Sequence, residues 1–192
     1  MTLRIRPCIC VKGDLQFYAN GQCIACKGTG VHDTYRVGVL KKNLNAKRPS
    51  FEEYLSFDGA HCHRIYKRLS EDWRCPGCWR TKFEILRWTI LFPHKPESRR
   101  PGWAGGYHEH HDHACDRYFS PGGLSSCTPR FAPSVVCEQC NSADSAAKKK
   151  LKLPTDFSFS PTEIRQFVSA YLHGKHLVDY QIAHAIYLAL QP

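Results

Sequence analysis

Three short motifs carry the residues able to do chemistry: Cys75-Pro-Gly-Cys78, His110-His111-Asp112-His113 and Cys137-Glu-Gln-Cys140-Asn141. Each C-x-x-C turn presents two thiolates to one tetrahedral ion, so Cys75, Cys78, Cys137 and Cys140 read as a four-cysteine zinc site. Fifty-eight residues separate Cys78 from Cys137. An ion held there would pin two distant segments and remove chain entropy that a small core cannot offset alone. The histidines between the knuckles call for different chemistry. An imidazole with pKa near ~6.5 can accept a proton from water at neutral pH. A hard divalent ion beside it would point to metal-assisted hydrolysis.

Elements must position these groups. Ile85–Phe92 is rich in β-branched and aromatic residues and reads as a strand. Tyr107–His113 reads as a second strand, with Phe131–Val136 pairing back onto it. In a strand, His111 and His113 would share one face and His110 and Asp112 the other. From Asn141 the alanine- and lysine-rich run predicts a helix that Pro154 stops. Ser50 with Glu53 and Ser160 with Glu163 have capping-box spacing and predict helix starts. The second of these helices is expected to bury Ile164, Phe167, Val168, Tyr171 and Leu172 and to end at Gly174. A last helix starts near Asp179, with Ile182, Ala185, Ile186 and Leu190 on one face.

The N-terminal region holds Cys8, Cys10, Cys23 and Cys26 as C-x-C, twelve residues, C-x-x-C, which predicts a second structural zinc. The resulting organisation is a zinc-binding lobe with a basic linker over 1–48, a connecting segment over 49–72, a core over 73–153 and a helical extension over 154–192. The fold class expected is α+β.

The formal charge of +10 and pI of about 9.1 favour a polyanionic partner such as nucleic acid. Arg99, Arg100, Arg117 and Arg130, with Lys148, Lys149, Lys150 and Lys152, are the candidate phosphate contacts. Trp103 and Tyr107 read as packing residues. The start Met1-Thr-Leu-Arg-Ile-Arg-Pro7 has no signal-peptide pattern and no stretch approaches a membrane span. With eleven cysteines, thiolate–metal bonding in a reducing, cytoplasmic setting is expected over disulfides.

The order knuckle, strand ending in a ligand–histidine pair, second strand, knuckle, asparagine and helix resembles the ββα-metal, or HNH, endonuclease superfamily. It is most similar to the zinc-clipped branch of phage recombination endonuclease VII and HNH type II restriction endonucleases. That branch carries Asp-His-Asp-His and then Cys-x-x-Cys-Asn. The likeness covers about residues 73–153 and extends loosely to Ser160-Pro-Thr-Glu-Ile164. It implies His111 as general base, His110 and Asn141 as ligands to a catalytic Mg²⁺ or Mn²⁺, and His113 as the trailing histidine. His110 stands where the branch has aspartate, although other HNH enzymes use adjacent histidines. A shifted register, with Asp112 as ligand and His113 as base, is the alternative.

The function so implied is hydrolysis of DNA phosphodiesters to 5′-phosphate and 3′-hydroxyl ends, by a sequence-specific restriction-type enzyme that could act as a homodimer. A junction-resolving or nicking nuclease, a non-catalytic zinc module binding nucleic acid and a zinc hydrolase are the other readings. No small-molecule substrate and no membrane partner are expected.

Overall fold

The computed structural model describes residues 5–7, 18–19, 22–23, 31–33, 42–43, 46–59, 62–118 and 128–191. The chain divides into two units, Met1–Ala46 and Lys47–Pro192. In the first, β1 (Ile5–Pro7) pairs antiparallel with β4 (Val31–Asp33), and β2 (Tyr18–Ala19) with β3 (Gln22–Cys23). The expected site of Cys8, Cys10, Cys23 and Cys26 lies outside the described residues, apart from the backbone of Cys23.

The second unit contains the segments expected as connector, core and extension. It mixes short helices with two-stranded antiparallel sheets, an α+β arrangement. Helix α1 (Phe51–Leu55) begins at Ser50, whose hydroxyl accepts from Glu53 N–H while the Glu53 carboxylate accepts from Ser50 N–H. Helix α2 (His63–Arg68) follows. Past the first knuckle, Thr81 and Glu84 form the same reciprocal cap on α3 (Lys82–Ile85). Strand β5 (Arg87–Leu91) then pairs with β6 (Arg100–Ala104).

Strand β7 (Tyr107–His110) pairs antiparallel with β8 (Ser134–Cys137), with Tyr107 opposite Cys137 and His110 opposite Ser134. The strand expected over Tyr107–His113 therefore stops at His110. The cause is Asp112: its carboxylate accepts from the N–H groups of Ala114 and Arg130. This local alternative to a sheet ladder turns the chain into a 3₁₀ helix over His113–Tyr118. The return strand begins three residues later than expected, at Ser134, and leads directly into α4 (Glu138–Leu151). That helix starts one turn before the predicted Asn141. Its buried residues Cys140, Ala143, Asp144 and Ala147 recur at helical spacing, and Lys152 ends it in the left-handed conformation at φ 55°.

Ser160 caps α5 (Pro161–Phe167) through the predicted box with Glu163. The helix ends at Phe167 and does not reach Gly174, because β9 (Val168–Ser169) pairs with β10 (Leu177–Val178). Asp179 caps α6 (Tyr180–Ala189) by accepting from the N–H groups of Gln181 and Ile182. The inward face of α6 coincides with the expected one only at Ile186. Ala183 is buried and Tyr180, Ile186 and Tyr187 pack on the core, while Ile182 and Leu190 are exposed.

The core joins these pieces around the knuckles. Phe159, Ile164 and Phe167 pack with Val136, Tyr107 and the four cysteines. Phe159 meets Phe157 and Phe167 with ring centres 4.8 and 4.9 Å apart, favourable edge-on spacings. Tyr107 packs on Trp73 and Tyr66 as expected. Gly77 sits where a Cβ would lie 3.0 Å from Cys140 Sγ, so the first knuckle approaches the second only because this residue has no side chain.

Candidate metal centre

Cys75 and Cys78 lie in a tight turn closed by the Arg74–Thr81 bridge. Its carbonyl at Cys75 accepts from the N–H groups of Cys78 and Trp79, and Trp79 adopts φ 60° to complete the turn. Cys137 ends β8 and Cys140 sits three residues on in the first turn of α4, so both face one side. The four sulfur atoms lie within 4.8 Å of one another, and Cys78 and Cys137 are 3.8 Å apart. A tetrahedron with Zn–S bonds of ~2.3 Å has edges of about 3.8 Å. Cys137 N–H donates to Cys75 Sγ at 3.2 Å.

Crowding splits these thiols. Hydrogen bonds from Cys137, Cys140 and Cys75 push the Cys78 thiol far below its ordinary range. Contacts with Cys137, Cys75 and Cys78 push Cys140 well above it. Four thiolates packed this closely would repel one another without a positive ion among them. The donor set is soft, closed and buried, and could hold a metal such as zinc. Elsewhere, Cys62 is a buried free thiol, whereas Cys115 is disulfide-bonded, so both cysteine states occur among the described residues.

The histidine segment divides into a buried pair and a half-exposed pair. His110, 2% exposed, ends β7 with its ring stacked on Phe131. Its Nε2 lies 2.7 Å from the Phe159 carbonyl. A carbonyl only accepts, so Nε2 carries the proton and, in the neutral ring, Nδ1 keeps its lone pair. That lone pair faces Asn141 Oδ1 at 3.3 Å. Asp112 is also buried, but both its oxygens are used by the backbone of Ala114 and Arg130.

His111 and His113 are 41% and 39% exposed at their side chains and converge on Asp116. His111 Nε2 lies 3.2 Å from Asp116 Oδ1 and His113 Nδ1 2.6 Å from Oδ2. The hydrogen bond from His113 holds the Asp116 carboxyl below its ordinary range. The His111 and His113 ring centres are 4.5 Å apart. The two-and-two division expected of a strand is thus reached without one.

One segment, Ser158-Phe159, fixes most of this. Phe159 N–H donates to buried Asp144 Oδ1, and the Phe159 carbonyl holds His110. Ser158 Oγ accepts from His113 N–H, and the Ser158 carbonyl accepts from Arg130 Nη1. Asp144, Asp116 and the Phe159 carbonyl were not singled out from the sequence. Only the capping pattern at Ser160 marked this neighbourhood.

The basic residues separate likewise. Arg130 also binds Glu163, and Lys148, 13% exposed, pairs with Asp144 at 2.9 Å. Both are committed within the chain. Arg99, Arg100, Lys149, Lys150 and Lys152 are exposed, and the Arg117 side chain lies outside the described residues. A cavity of about 600 Å³ opens beside β5–β6, lined by residues such as Phe57, Arg87, Leu91, Trp103 and Glu138, and includes none of the histidines. Among the described residues no helix is long and apolar enough to cross a membrane. Compared with protein-family models, curated proteins and solved structures, the chain matches none.

Proposed function

We propose that this protein is a metal-dependent DNA endonuclease of the ββα-metal type, with zinc at Cys75, Cys78, Cys137 and Cys140 as a structural clip. The observation that carries the reading is the His110 Nδ1–Asn141 Oδ1 pair, 3.3 Å apart, one residue from half-exposed His111 and one from Cys140. The hairpin β7–β8 leading into α4 supports it. The ligand pair fits a hard divalent ion. Both donors are neutral, so an ion between them keeps its charge for an anionic substrate. When bound, Mg²⁺ or Mn²⁺ would stabilise charge on the scissile phosphate and the departing 3′-oxygen.

The protein's own groups do the rest. The Phe159 carbonyl keeps the His110 proton on Nε2 and so keeps Nδ1 available. The Asp116 carboxylate favours the proton of His111 on Nε2, leaving His111 Nδ1 as the atom that takes a proton from the attacking water. Asp112, with its oxygens on backbone N–H groups, is the weaker candidate ligand. Phosphate contact falls to Arg99, Arg100, Lys149 and Lys150, because Arg130 and Lys148 are engaged internally. Exposed Ile182, Leu188 and Leu190 on and just beyond α6 supply a surface through which two copies could cut both strands. A restriction-type enzyme in the cytoplasm is the leading form, with a junction-resolving or nicking nuclease beside it.

Cleavage of supercoiled plasmid and of branched DNA with Mg²⁺ or Mn²⁺ tests this. Cutting that is lost in His111→Ala and Asn141→Ala supports the assignment. Loss only in His113→Ala moves the base. A zinc-loaded protein that cuts neither substrate would instead be a non-catalytic zinc module.

A further inference from the structure

The trio His111, His113 and Asp116 can do more than hold a base. We propose that it forms a separate, exchangeable site for a borderline divalent ion such as Zn²⁺ or Co²⁺. Its three donor atoms lie within 4.8 Å of one another. His113 and Asp116 are three residues apart in a 3₁₀ helix, where residues i and i+3 eclipse. Their side chains therefore leave the same side of the turn. His111, just before it, brings Nε2 to 3.2 Å from Asp116 Oδ1. A tetrahedral site with bonds of ~2.0–2.1 Å has donor–donor edges of about 3.3 Å; the His111–Asp116 contact is already near that value, and the His113–Asp116 contact of 2.6 Å would have to open.

The chemistry of the donors selects the ion. Two imidazoles and one carboxylate favour zinc-like ions over Mg²⁺, which prefers oxygen. Three protein ligands leave a coordination position open, as exchangeable and catalytic zinc sites do. Half-exposed rings give the ion a way in and out, unlike the buried cysteine group. The turn is held from behind by Asp112 on Ala114 N–H and by Ser158 on His113 N–H, so the donors are already converged.

The consequence rests on the nuclease reading. An ion on His111 Nε2 displaces the ring's single proton from that nitrogen, and the neutral imidazole then carries it on Nδ1 instead. His111 can then no longer accept a proton from water. Zinc beyond the structural complement would therefore switch cutting off.

The test is a titration of the zinc-loaded full chain with Co²⁺, followed by visible absorption. The expected result is one added equivalent with ligand-field bands and no thiolate charge-transfer band. It should persist in Asn141→Ala and vanish in Asp116→Asn and His113→Ala. Circular dichroism and retained zinc would show that these variants fold. The site is overturned if wild type takes up no Co²⁺, or if uptake brings the thiolate band. It is equally overturned if the equivalent is lost in Asn141→Ala but kept in Asp116→Asn. Binding is read without activity, so the two proposals separate. A protein that binds Co²⁺ here but cuts no DNA keeps the site and loses the nuclease. One that cuts but binds nothing here does the reverse.

Discussion

The four-cysteine group and the histidine loop share the β7–β8 hairpin and helix α4, to which the cysteines add the Cys75–Cys78 turn, yet they are opposite kinds of site. The cysteines are alike, buried and closed upon one another, with two C-x-x-C segments each giving two sulfurs. The histidine loop is mixed and graded. His110 is buried against Asn141 and Phe159, whereas His111 and His113 stand half in solvent around Asp116. A closed thiolate set leaves no place for a reactant, and its ion can only hold segments together. The open set can exchange water, protons and ions. Burial, more than ligand type, distinguishes the two.

The largest break in this comparison would come from Cys140→Ala. It removes one of four ligands and empties a core position next to Gly77 and Ile164. Structural zinc contributes on the order of 10 kcal/mol of apparent binding energy to small domains. We expect loss of bound zinc and of cooperative thermal unfolding. A variant that keeps its zinc and its melting transition would show that the cluster is not a clip.

His111→Ala strikes the open set instead. If the ring is the base, cleavage should fall about 10²–10⁴-fold. The melting temperature should barely move, since a half-exposed ring carries little packing. A parallel loss of stability and activity would place His111 in the structural half of the comparison. Asp144→Ala touches the support common to both halves. Phe159 N–H loses its acceptor and largely buried Lys148 its counter-ion. A destabilisation of about 1–3 kcal/mol in denaturant unfolding follows from leaving such groups unpaired.

How much of this the chain reveals in advance follows from contact range. The knuckles are legible because each ligand pair is local, and three residues of spacing suffice to aim two sulfurs together. The cap at Ser160 is legible for the same reason, since its partner Glu163 is in the next turn. The early end of α5 is not legible: Val168 pairs with Val178 across a turn, and that contact overrides helical spacing. Asp112 looked like a ligand or a strand residue. Its actual partner, the backbone of Arg130, is eighteen residues away. The acceptor for His110 lies forty-nine residues on, and it is a main-chain carbonyl that no residue identity could announce. The α6 face was misjudged because both sides of that helix carry apolar residues, so periodicity alone does not choose between them.

The smallest predicted effect is the most discriminating for the open site. Ser158 is fully buried, and its hydroxyl accepts from His113 N–H at 3.3 Å. Ser158→Ala removes that acceptor while leaving the Phe159 carbonyl, Asp144 and every cysteine in place. The cost should be about 1 kcal/mol, the net value of one neutral hydrogen bond. Its effect should be local: faster hydrogen exchange at the His113 amide, with unchanged zinc content and little change at the Cys137 amide. If exchange rises equally at His113 and Cys137, the closed and open sites unfold as one unit. If it rises at His113 alone, the loop that carries His111, His113 and Asp116 moves independently of the clip. An open site needs that independence if it is to admit a reactant without loosening the core.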